Sequence, residues 1–151
     1  MRRVPLLLAS LVAACADPIA SLDAQTTVNN ASVRARINFT TLTPSVDQSN
    51  RVTLAFTNPE GDSMTFGLTP SGTLSQGNYD IDGTTNTFAS TFGITESGAT
   101  FAVSVTSTFG FINLTSVGID ASGILTSLSG EYHVNFVTGG AGVGAINCCS
   151  E

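Results

Sequence analysis

The sequence predicts an all-β domain, an antiparallel β-sandwich of about seven to nine short strands, with a small closed barrel as the alternative topology. Three observations carry this. From Val33 onward apolar and polar residues alternate with the period of half-buried strands. Clusters of Gly, Asp, Asn, Ser and Pro interrupt the alternation at spacings of about 8 to 14 residues. No helical period is sustained after residue 31, which disfavours α/β architectures and their nucleotide sites. With 151 residues, 11% of them charged, and no Trp, the chain is one small domain whose solubility rests on Ser, Thr and Asn.

The N-terminus comes first. Arg2 and Arg3 precede a short apolar run from Val4 to Ala14, the layout of an export signal and too short for a membrane-spanning helix. The run ends in Val12-Ala13-Ala14-Cys15, which resembles the lipobox of bacterial lipoproteins. That resemblance implies cleavage after residue 14, a lipid on Cys15, and, with Ala16 following, forwarding to the outer membrane. The plain alternative is an ordinary signal peptide, giving a periplasmic or secreted protein, since Ala14-Cys15-Ala16 and Leu22-Asp23-Ala24 also look like small-residue cleavage sites. Loss of residues 1–14 removes two arginines and no acid, leaving three Arg against eleven acids and a balance of −8. An acidic surface with no lysine excludes a nucleic-acid partner and gives no electrostatic grip on anionic lipid, so an acyl chain is the expected membrane attachment. Residues 15–31 carry scattered polar groups and one Pro, and read as a flexible tether of about 20–25 Å reach. The sequons at Asn30, Asn38 and Asn113 matter only under eukaryotic export.

The sandwich domain is expected over residues 32–138. Val33, Ala35, Ile37 and Phe39 form one face of the first strand. Val52, Leu54 and Phe56, a turn at Asn58–Asp62, and Met64, Phe66 and Leu68 form a hairpin. Tyr79 and Ile81 make a short strand after a longer loop; Phe88 to Ile94 and Phe101 to Val105 follow. Ile112 and Leu114, then Val117 and Ile119, continue to a turn at Asp120–Gly123. Glu131 to Val137 closes the series, with Tyr132, Val134 and Phe136 inward and Glu131, His133 and Asn135 outward. Residues 139–151 read as a Gly-rich tail or edge strand, too short for a dinucleotide-binding unit. The strands are also shorter than a tilted membrane-barrel strand requires. The body weakly resembles uncharacterised β-sandwich domains of bacterial lipoproteins, through Gly77-Asn78-Tyr79-Asp80-Ile81, Ile112-Asn113-Leu114-Thr115 and Ser129 to Phe136. That resemblance implies a fold and carries no catalytic residues.

Candidate chemistry is sparse. His133 is the sole histidine and no nucleophile elbow is present, so an esterase-like site would need His133 with a serine brought close by folding. One histidine and two adjacent tail cysteines do not supply a zinc ligand set. Asn78, Asp80 and Asp82 before Gly83 resemble the opening of a calcium loop, but Ala89 stands where an EF-hand needs its bidentate Glu. Asp80 and Asp82, about 6.6 Å apart on one strand face, also match a glycosidase carboxylate spacing. Cys148 and Cys149 would pair with each other only through a strained ring; intermolecular bridges, free thiols, or a bridge to an unlipidated Cys15 are the alternatives. The reading is therefore an exported, lipid-anchored, non-catalytic module for binding, adhesion or envelope structure, with a protein or glycan ligand. An extracellular hydrolase and a self-associating edge-strand module, homo-oligomeric through a strand edge that no lysine guards, are the alternatives.

Overall fold

The computed structural model describes residues 18–96 and 98–148. Ten strands follow one another: β1 (Ala20–Val28), β2 (Ala31–Phe39), β3 (Thr41–Val46), β4 (Val52–Thr57), β5 (Ser63–Leu68), β6 (Gly77–Ile81), β7 (Thr87–Glu96), β8 (Ala99–Ile119), β9 (Leu125–Phe136) and β10 (Gly140–Cys148). All pairings are antiparallel, in the order β2-β1-β10-β9-β8-β7-β5-β4-β3, with β6 on β8 beyond the end of β7. The sheet is open. No ladder joins β2 to β3 among the described residues, so the closed barrel does not form.

Local chemistry explains the connections. Asn29 and Asn30, both at positive φ, make the two-residue turn from β1 to β2, a geometry Asn tolerates and one that matches strand twist. The β3–β4, β4–β5 and β8–β9 turns share one design. Asp47, Asn58 and Asp120 open them, and each accepts the backbone N–H four residues on at 2.9–3.0 Å, while the fourth residue, Asn50, Gly61 or Gly123, takes the left-handed conformation.

Between β2 and β3 stands one residue, Thr40, although these strands are the two edges of the order. The Phe39 carbonyl still accepts the Ile19 N–H, while the Thr40 N–H already donates to Thr57 of β4. The sheet must therefore fold over on itself, and its two halves share one core. Phe39 and Phe56 meet across it at 6.4 Å between ring centroids, and Phe66 meets Tyr132 edge-on at 5.0 Å. Most of the expected inward residues are buried, among them Val52, Leu54, Phe56, Met64, Phe66, Leu68, Phe88, Phe92, Ile112, Leu114, Tyr132, Val134 and Phe136, whereas Val33, Ala35, Tyr79, Phe101, Val103, Val117 and Ile119 are only partly buried.

Three expectations need correction. Residues 20–31 are not a tether: Ala20–Val28 is an inner strand with Ala20, Leu22, Ala24 and Thr26 buried. Residues 140–148 are neither tail nor edge, because β10 lies between β1 and β9. The separate strands read across Phe101–Ile119 are one strand of 21 residues, bent by register shifts at Ser107/Phe109, Leu114/Ser116 and Gly118/Ile119. Residues 1–14, expected as an export signal, Cys15, expected to carry a lipid, and Cys149 lie outside the described residues.

Candidate functional site

Across the outer face of β6, β8, β9, β10, β1 and β2 runs a row of directly opposed residues: Asp80, Phe111, His133, Val143, Asp23 and Arg36. A groove of about 800 Å³ follows this row from Phe111 to Arg36. Phe111, His133 and Glu131 form one wall, Val143 and Ala145 the floor, and Asp23 and Arg36 the other wall. Phe111 and Val143, the two cross-strand neighbours of His133, are 37% and 43% exposed on this row.

The β10 residues that alternate with this floor face the core. Gly142 and Gly144 point inward from β10, and the aromatic side chains of β9 occupy the space a side chain would fill. Phe136 lies over Gly142, and Tyr132 lies over Gly144 to donate its hydroxyl hydrogen to the Ser21 carbonyl of β1 at 2.5 Å. A Cβ on Gly144 would stand 1.9 Å from that carbonyl oxygen. Burial pushes the Tyr132 phenol well above its usual range, so it remains a neutral donor.

On the far wall, Arg34 grips the Asp23 carboxylate through two bonds of 3.1 and 2.9 Å, and Arg36 approaches the same carboxylate at 3.7 Å. The Arg34 hydrogen bond holds the Asp23 carboxyl below the usual range, and the same bond raises the Arg34 guanidinium.

The residues singled out from sequence are distributed as follows. His133 has Phe111 and Val143 as cross-strand neighbours, the Phe111 ring 6.4 Å from its own. Ser21 and Asp23 share the groove with it, but the Ser21 hydroxyl accepts the Ala145 N–H at 3.4 Å and Asp23 is held by Arg34. No serine–histidine–acid relay is assembled there among the described residues. Asn78 donates to the Asp80 carboxylate at 2.9 Å on β6. Asp82 is turned into its own loop: one carboxylate oxygen accepts the Thr84 and Asn86 N–H groups at 2.8 and 3.1 Å. These donors, Thr84 first, hold its carboxyl down to about 2. Asn78, Asp80 and Asp82 thus do not converge on a point, and among the described residues no three His, Cys, Asp or Glu side chains are grouped to hold a metal ion. Cys148 is buried and disulfide-bonded, and its partner, Cys15 or Cys149, lies outside the described residues.

Asp23, Arg34 and Arg36 form a wall that is not legible from the composition of the sequence alone, because Asp23 falls in a segment whose composition reads as a tether. The signal was present: Asn29-Asn30 between Val28 and Ala31 is a hairpin turn, and it places residues 23 and 36 opposite one another. A separate, mainly apolar cavity of about 40 Å³ lies at another point of the molecule, lined by Pro44, Val46, Val52, Leu54, Leu74 and Ile119 among others. Compared with models of protein families, with curated proteins and with solved structures, the chain gives no match.

Proposed function

We propose that this is an exported, lipid-anchored, non-catalytic binding module that takes an extended oligosaccharide in the groove over β10. One observation carries the reading: an open groove whose row sets an exposed Phe111 ring and the His133 imidazole beside the charged Asp23–Arg34–Arg36 wall. Sugars offer apolar ring faces and a hydroxyl periphery, which suits an aromatic platform flanked by carboxylate and guanidinium groups. The lipobox-like Val12-Ala13-Ala14-Cys15 supports the anchor.

The groove is tested by probing a glycan array with labelled protein and with Phe111→Ala. The reading expects a defined set of glycans bound by the wild type, with affinity falling about tenfold in the variant, in line with the loss of one stacking contact and its apolar area. Equal signals from both proteins, or no glycan bound, contradict it. The anchor is tested by palmitate labelling, which Cys15→Ser must abolish. The Cys148 disulfide adds a second check: with Cys15 acylated, Cys149 is the remaining partner within the chain, so a peptide map showing Cys15 joined to Cys148 contradicts the anchor.

A further inference from the structure

We infer that the open edge of β2 accepts an extended strand from another protein, one that alternates acidic and small apolar residues. The two ends of the sheet order differ. β3 has six residues, and Pro44 stands at its middle. Since Asp47 donates to Arg51 at the start of the β3–β4 ladder, odd-numbered residues of β3 bond to β4 and even-numbered ones face outward. Pro44 therefore removes an outward-facing donor and blunts that edge.

β2 has nine residues, no Pro and no Lys. Its two-residue turn makes Val28 and Ala31 a hydrogen-bonded pair, so Ala31, Val33, Ala35 and Ile37 bond to β1 while Ser32, Arg34, Arg36 and Asn38 face the open side. The Asn38 carbonyl confirms this phase by accepting the Asn58 side-chain amide at 3.1 Å from outside the sheet. From Ser32 to Arg36 the edge is a template for a further strand.

The side chains specify the strand. Arg34 and Arg36 are 73% and 77% exposed on one face, and share a single carboxylate, Asp23, which leaves a positive excess on an otherwise acidic protein. On the other face Val33 and Ala35 are only half-buried against the core. A partner with acids on the arginine face and small apolar residues on the other satisfies both. A second copy of β2 does not, because antiparallel self-pairing brings arginine against arginine.

The test is fluorescence anisotropy of a labelled peptide alternating Glu and Val, against one alternating Lys and Val, titrated with the mature protein. Ser32→Pro removes an outward donor without touching the β1 ladder, and its melting temperature reports that the fold survives. Arg34→Gln with Arg36→Gln removes the charge. The inference expects the Glu peptide to bind about tenfold tighter than the Lys peptide, a loss of about threefold or more in folded Ser32→Pro, and loss of the charge preference in the Gln variant. No binding of the Glu peptide, equal binding of both peptides, or undiminished binding to Ser32→Pro overturns it. So does sedimentation showing a wild-type dimer that Ser32→Pro abolishes, which gives the edge to a second copy. Glycan binding is read separately through Phe111→Ala, and Ser32→Pro, which lies outside the groove lining, distinguishes failure of strand addition from failure of the groove.

Discussion

Gly144 and Tyr132 show how one absent side chain governs both the core and the outer surface. The Tyr132 hydroxyl reaches across β10 to Ser21 only because Gly144 has no Cβ. Gly144→Ala is expected to cost about 3 kcal/mol or more, because the new methyl would meet backbone, which cannot rotate away. Gly72→Ala, with nothing nearby, is expected to change stability by less than about 0.5 kcal/mol. Chemical denaturation of the two variants checks the contrast. Asp82 gives a prediction in pH. Its carboxyl is held down to about 2 from an ordinary 3.8 by the Thr84 and Asn86 N–H groups. A depressed carboxyl contributes stability that is fully present above the unfolded value and fades as pH falls through the folded value. Asp82→Asn keeps an oxygen acceptor in the turn, so its melting temperature should lie below that of the wild type at pH 6. The gap should close between about pH 4 and pH 2. A gap that stays constant to pH 2 contradicts the assignment.

At the scale of elements, the β1–β2 hairpin depends on positive φ at Asn29 and Asn30. Asn30→Gly should raise the melting temperature, because Asn-Gly is the preferred pair where both turn residues take positive φ, and Asn30→Val should destabilise by about 1–2 kcal/mol, measured by thermal melting. This hairpin also shows why part of the fold was hard to read. The strands from Val52 to Phe136 announced themselves because Phe, Leu, Ile and Val fill their inward positions. β1 turns Ala20, Ala24 and Thr26 inward, and β10 turns Gly142 and Gly144 inward, so neither shows an apolar rhythm. Their space is filled by Tyr132, Phe136 and Leu22, a compensation visible only once the register is known. β3 was hidden by Pro44, which is tolerated because its nitrogen faces the open edge. The site followed the same division. Outward His133 and Glu131 were legible from the β9 alternation, whereas the Asp23–Arg34–Arg36 wall required β1 to be a strand.

For the molecule as a whole, β1 and β10 decide whether there is one sheet or a smaller sandwich with loose ends. As the inner strands between β2 and β9, they join the first hairpin to the last and place Ser21 and Asp23 in the groove. Deleting residues 140–148 should therefore abolish cooperative unfolding in circular dichroism, whereas removal of a dispensable tail would leave the melting curve intact. Because the sheet pairs strands from opposite ends of the chain, folding is expected on the slow, millisecond-to-second side typical of sandwiches. Residue-resolved amide hydrogen exchange measures the arrangement most directly. The structure predicts protection of Leu22, Ala24, Gly142 and Gly144 amides comparable to that of Tyr132 and Val134, with Arg34 and Arg36 exchanging far faster than Val33 and Ala35. Exchange of residues 20–28 and 140–148 at the rate of the surface loops would contradict it.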